Sequence, residues 1–302
     1  MRVSSWVVGL AAVVGVLAVV AALAGLTVQG GSGPYPFTTV RGETVQMYGQ
    51  GLYRYETLRD GTGFKGTDVF VLVVAVPLLV VCALLYRRGS LRGGLLLTST
   101  LGYFLYNAAS MTFGYAYNNL FLVYLAHFTA SLFAFILAFT SFDLAHLPSH
   151  FSARLPRRGI AAFLGAVGVS LILVWVGLDI LPALLQGKAP ALTGHTTLPT
   201  HALDVGVIAP TAFLAAVLLW RRAALGYLLA SVVLIVGGVL GLAVTALSVA
   251  QLLAGVLTTA ETVAFVLPFV ILTVLSLWLT AILFRHVEGD GRKPLTPSPS
   301  PT

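Results

Sequence analysis

The sequence predicts an all-α polytopic membrane helical bundle of about eight transmembrane helices, N-in/C-in, with a small extracytoplasmic β-hairpin cap. Three observations carry that reading. First, 58% of the 302 residues are hydrophobic and 9% charged, where soluble domains carry about 25% charged residues. So few charges cannot cover a water-facing surface. Second, eight apolar runs approach the roughly 20 residues that a helix needs to cross a hydrocarbon core. Third, Lys and Arg collect in alternate loops, the pattern that orients a chain across a membrane.

In order, the runs are approximately 6–27, 68–86, 93–113, 118–141, 159–181, 203–220, 224–250 and 262–284. The first follows Arg2 and contains Ala22-Leu23-Ala24, which resembles a signal-peptidase site. Its apolar body is longer than a signal peptide's, so it reads as a retained anchor; the alternative, cleavage there, would leave a seven-span core with the other loops unchanged. Loop 28–67 follows as an extracytoplasmic cap. Within it, VQMY (45–48) and LYRYE (52–56) read as two strands around the GQG turn at 49–51, a unit too small to fold alone. Gly165 and Gly168 in the fifth run, and the G-x-x-x-G of Gly237 and Gly241 in the seventh, suit close helix packing. The sixth run is the weakest, because Pro210 interrupts it. QLLAGVLTTAE (251–261) barely separates the last two, yet Arg221 and Arg222 before them and Arg285 after them demand a crossing and a return. Residues 1–285 thus form one transmembrane domain, and the Pro- and Ser-rich segment 286–302 a disordered cytoplasmic tail.

With the N-terminus inside, twelve Lys and Arg residues fall in inner segments and five in outer ones. The formal charge of +7 is then accounted for by topology and inner-leaflet lipid, which leaves nucleic acid without a role. Membrane lipids are the expected partners, together with a small-molecule or lipid ligand; self-association into a homo-oligomer is left open. The expected location is the plasma membrane, with multiple crossings.

Polar residues inside the runs carry the chemistry. Positions three, four or seven apart share a helix face. Tyr103, Tyr106, Asn107 and Ser110 obey that spacing in the third run, and Tyr117, Tyr124, His127 and Ser131 in the fourth. A short connection makes these two runs an antiparallel hairpin, so the two stripes are expected to face each other and away from lipid. Interhelical hydrogen bonds of about 0.6 kcal/mol each would explain them as glue, and Tyr117 also suits an aromatic belt. The competing reading is an outward-opening pocket between spans two, three, four and eight, roofed by the 45–60 hairpin, with Arg54 holding an anionic group. His127, ionisable and deep in a span, is the functional candidate of the fourth run. Asp68 and Glu261 each open a span, where the helix dipole favours a carboxylate, and they are the candidate proton-coupling acids. His201 and Asp204, three residues apart, offer only two metal ligands and no third, so no metal is expected.

Missing parts set other activities aside. No lysine lies in any run for a retinal Schiff base, one histidine in a run cannot ligate haem from two sides, and no Walker A or G-x-S-x-G sequence occurs. No cofactor is expected. Cys82 stands alone, which excludes an intramolecular disulfide.

The segments YGQGLYRYETLRDGTGFKGTD (48–68) and YRRGSLRGGLLLTSTLGYFLYNAASMTFGYAYNNLFLVYLAHF (86–128) resemble a group of bacterial and archaeal multi-span membrane proteins without an established activity. The resemblance covers about a quarter to a third of the chain. It implies that the cap and spans two to four form one unit in a bacterial inner-membrane protein, and it supplies no chemistry. Three classes therefore stay open: a permease for a small solute or lipid, a non-catalytic sensor or accessory protein, and an intramembrane enzyme with His127 as base.

Overall fold

The structure is a computed structural model and describes residues 1–190 and 192–288. Eight long helices run back and forth: α1 (Ser5–Thr27), α2 (Leu58–Arg87), α3 (Leu91–Gly114), α4 (Phe121–Thr140), α5 (Arg157–Leu185), α6 (Pro199–Trp220), α7 (Ala224–Leu253) and α8 (Thr259–Arg285). All but α3 are long and apolar enough to cross a membrane. The exception is instructive. α3 packs against α2, α4 and α7 and buries residues on every side, from Leu95 and Leu97 to Tyr103 and Phe104. A helix surrounded by protein can afford hydroxyls that a lipid-facing helix cannot, and Ser99 and Thr100 return theirs to the carbonyls of Leu95 and Leu96 at 2.7 and 2.8 Å. α7 is the second inner helix, packed against α2, α3, α6 and α8.

Three helices contain a widened π-turn segment: Val71–Ala75 in α2, Ile172–Ile180 in α5 and Asp204–Ile208 in α6. A proline stands two positions beyond each, at Pro77, Pro182 and Pro210. Proline has no N–H to donate and its ring crowds the carbonyl four residues back; widening the preceding turn relieves both.

The ends of the bundle differ. At one end Tyr86 Oη donates to the Arg2 carbonyl at 3.1 Å and accepts from the Ser4 amide at 3.0 Å, and the Ser152 amide donates to the His286 carbonyl at 2.9 Å. The opposite end carries the cap. Here the expected hairpin is displaced. The strands are β1 (Tyr35–Thr38) and β2 (Thr44–Met47), antiparallel around a turn at 39–43 that uses Gly42 at a φ of 82°. LYRYE is not a strand; Gly49 and Gly51, at φ 68° and 62°, turn the chain back instead. α2 also begins ten residues before the apolar run. Its first turns hold Gly61, Gly63 and Gly66, and a Cβ on Gly66 would strike the Ala246 carbonyl of α7. Glycine packing against α7 makes this polar stretch helical, where hydropathy places it in the cap. The tail expected at 286–302 lies outside the described residues from 289 on; its first residues are pinned, with Val287 bridging to Phe151.

Candidate functional site

A cavity of about 320 Å³ lies between α2, α3, α5, α6, α7 and α8. The polar stripe of α3 faces it: Tyr103, Tyr106, Asn107 and Ser110 all line the space. Two widened turns meet across it. Tyr106 Oη donates to Asp204 Oδ1 at 2.8 Å, and Trp175 Nε1 donates to Asp204 Oδ2 at 2.9 Å. Asp204 is the only charged side chain among the described residues of the lining. Most of the remaining wall is apolar, including Phe163 and Leu171 of α5, Leu240 of α7, and Phe269 and Leu272 of α8. Tyr103 Oη is fully buried and has no hydrogen-bond partner.

The roof is aromatic. Phe64 and Tyr115 stack at 3.9 Å, and Tyr53 meets both edge-on at 5.5 and 5.9 Å. Polar contacts beside it hold the cap down. The Ala116 amide, next to Tyr115, donates to Glu56 Oε1 at 2.6 Å, and His195 Nε2 lies 3.3 Å from Asp60 Oδ2. Burial raises the Glu56 carboxyl to about 7. The hydrogen bond to Asp60 raises His195 above its ordinary value. The floor is closed by packed aliphatic residues, among them Leu95, Ile160, Leu164 and Leu228. One side is not closed. α5 packs along α6 and α8 along α7, with little packing between α5 and α8. Beside that gap the lining residue Phe265 remains 38% exposed, and the Ile172–Ile180 segment contains no buried residue.

Other expected site residues are placed elsewhere. The stripes of α3 and α4 do not form one facing pair: most of the α3 stripe looks toward α5–α8, while His127 is buried on the α1 side of α3. Asn107, with Thr67 and Tyr115, borders both the cavity and a void of about 10 Å³ shared with Asp68 and His127. Neither His127 nitrogen has a hydrogen-bond partner, and the ring lies 6.0 Å from Phe104. Tyr124 is buried against Tyr115 and accepts from Asn118 Nδ2 at 3.3 Å. Tyr117 is 74% exposed and stacks on Phe121. Arg54 donates to the Gly51 carbonyl at 3.1 Å and lies over Tyr55, on the cap. Glu261 is exposed and completes a capping box with Thr258, the structural use of an acid at a helix start. Asp68 is buried and accepts from Tyr53 Oη at 2.8 Å.

Trp175 is absent from the sequence-based candidates, and Asp204 enters there only as a possible metal partner of His201. His201 Nε2 lies 3.1 Å from Asp179 Oδ2, and no group of three or more His, Cys, Asp or Glu able to hold a metal occurs among the described residues. The overlooked signal was an acid six positions before a proline inside the weakest apolar run, since such prolines mark the widened turns. No family model, curated protein or solved structure matches the chain.

Proposed function

We propose that this chain is a multi-pass plasma-membrane protein, with its basic end and both termini cytoplasmic, that takes a hydrophobic or amphipathic molecule from the bilayer into the α2–α8 cavity and acts as a permease for it. One observation carries the reading: a largely apolar cavity of about 320 Å³ with a polar pole at Asp204 and an open side between α5 and α8. Ligand pockets of this size class are mostly apolar with few placed polar groups. A side opening between membrane helices admits solutes dissolved in lipid. The concentration of Arg at the end opposite the cap supports the orientation.

Native mass spectrometry of the purified protein tests it, with Gly237→Leu as the control. Gly237 lines the cavity, and a Cβ there would make only ordinary contact with Ser276 Oγ at 3.4 Å, so leucine fills the space while the helix is kept. Wild type is expected to retain a small molecule that Gly237→Leu lacks. Wild type without a bound molecule, or equal retention by both, overturns the reading. The closed aliphatic floor favours a second reading, a sensor that holds its ligand without passing it on. Flux of the retained molecule in proteoliposomes separates the two.

A further inference from the structure

Resting on the cavity reading, we infer that its ligand is an organic cation, a lipophilic ammonium whose charged end sits against Asp204 and whose apolar part fills the space toward α7 and α8. The carboxylate is the starting point. Its oxygens receive one hydrogen bond each, from Tyr106 Oη and Trp175 Nε1, and both donors are neutral. Each oxygen keeps a further acceptor position. No Lys or Arg lines the cavity among the described residues; His201 is near enough to act on Asp204 electrostatically, but its ring pairs with Asp179 at 3.1 Å. A carboxylate with no permanent cation in its cavity is costly inside a membrane bundle, and a ligand that brings the charge offsets that cost.

The walls agree in chemistry. Trp175, Tyr106 and Phe269 line the space, and aromatic rings attract alkylammonium groups through their negative faces. Tyr103 also borders the space, and its fully buried hydroxyl has no partner. An anionic ligand would meet only repulsion from Asp204. A zwitterionic phospholipid would bring a phosphate for which the lining holds no basic side chain, so the chemistry favours a free amphipathic amine.

The test compares three probes of equal chain length in maltoside micelles by equilibrium dialysis: octyltrimethylammonium, octanol and octanoate. The cation is expected to bind about tenfold more tightly than octanol, the scale of one charge-assisted contact, and octanoate least. Asp204→Asn should bring the cation down to the octanol level and leave octanol unchanged, which also shows that the variant is folded. A wild type that prefers octanol or octanoate, or an Asp204→Asn protein that keeps the preference for the cation, overturns the inference. If octanol binds and Gly237→Leu abolishes it while the cation shows no advantage, the cavity stands and the cation falls. If wild type binds none of the three, both fall together.

Discussion

Two acids flank α3, Asp68 buried and Asp204 half-buried, and their surroundings could hardly differ more. Asp204 has two donors and a cavity of about 320 Å³ in front of it. Asp68 has one donor, Tyr53 Oη, and beside it a void of about 10 Å³, the size of a single water. Gly25 of α1 closes over the Asp68–Tyr53 pair so tightly that a Cβ there would overlap both Asp68 Oδ2 and Tyr53 Oη. The same functional group therefore serves two ends. On one side of α3 it is presented to a space that a ligand can enter; on the other it ties the cap, through Tyr53, to the membrane helices. Polarity inside a bundle does not mark a binding site by itself. Free volume next to the polar group does.

A pair of glycine substitutions should expose that contrast most strongly. Gly25→Ala forces one methyl group into the Asp68–Tyr53 contact, and overpacking of that kind costs about 2–3 kcal/mol. Gly237→Ala points its methyl into the cavity, and replacing a helical glycine by alanine adds stability of about 0.5–1 kcal/mol. Thermal unfolding of the two proteins in one detergent should move in opposite directions. Similar shifts would mean that the two spaces are equally packed and that the contrast is illusory.

Removing each carboxylate gives the next largest difference. Asp68→Ala strands a buried tyrosine hydroxyl, at about 1–3 kcal/mol. In Asp204→Ala the orphaned Tyr106 and Trp175 donors border an open space where water can replace the acid, and the loss should stay below about 1 kcal/mol. Equal destabilisation would place Asp204 in the same structural role as Asp68. Because Gly25 and Asp68 touch, the double variant Gly25→Ala/Asp68→Ala should cost less than the two single changes combined.

Much of this architecture was written in the hydropathy of the chain, because each outer helix must be apolar to meet lipid and each loop polar to meet water. The same rule fails at the two places where protein replaces lipid. The start of α2 is polar and glycine-rich, so it reads as loop, yet Gly61, Gly63 and Gly66 let it pack as helix beneath the cap and on α7. The stripe of α3 is visible from spacing alone, and Tyr103, Tyr106, Asn107 and Ser110 do share one space. Which neighbour that stripe faces is a tertiary property, and chain proximity suggests α4 where the fold supplies α5 to α8. Trp175 and Asp204, 29 residues apart in sequence, meet only because the α5–α6 hairpin folds back, and single-helix periodicity cannot register such a pair.

The smallest expected effect concerns the roof, where the cap rests on both regions. Glu56 is 3% exposed, and burial raises its carboxyl from 4.5 to about 7; the Ala116 hydrogen bond and nearby His195 partly oppose that rise, and Asp60 adds to it. A group whose folded value is raised binds its proton more tightly in the folded state, so it contributes stability fully below about 4.5 and loses it as pH climbs through about 7. His195 is raised as well, chiefly by Asp60, and therefore acts in the same direction: its contribution is present below 6.5 and fades above its folded value. Docking of the cap should thus tighten as pH falls from 8 to 5. Hydrogen exchange at the Ala116 amide, which donates to Glu56 Oε1, reports this directly once rates are corrected for intrinsic pH dependence. Protection should rise on acidification in wild type, and Glu56→Gln should remove the larger part of that rise while leaving the smaller His195 contribution. Protection that is flat, or that falls on acidification, would show that Glu56 is held ionised and that the roof does not sense pH through this residue. Exchange around Gly237, midway along α7 in the cavity wall, should show no corresponding change, which confines the effect to the roof and separates it from any pH response of the cavity itself.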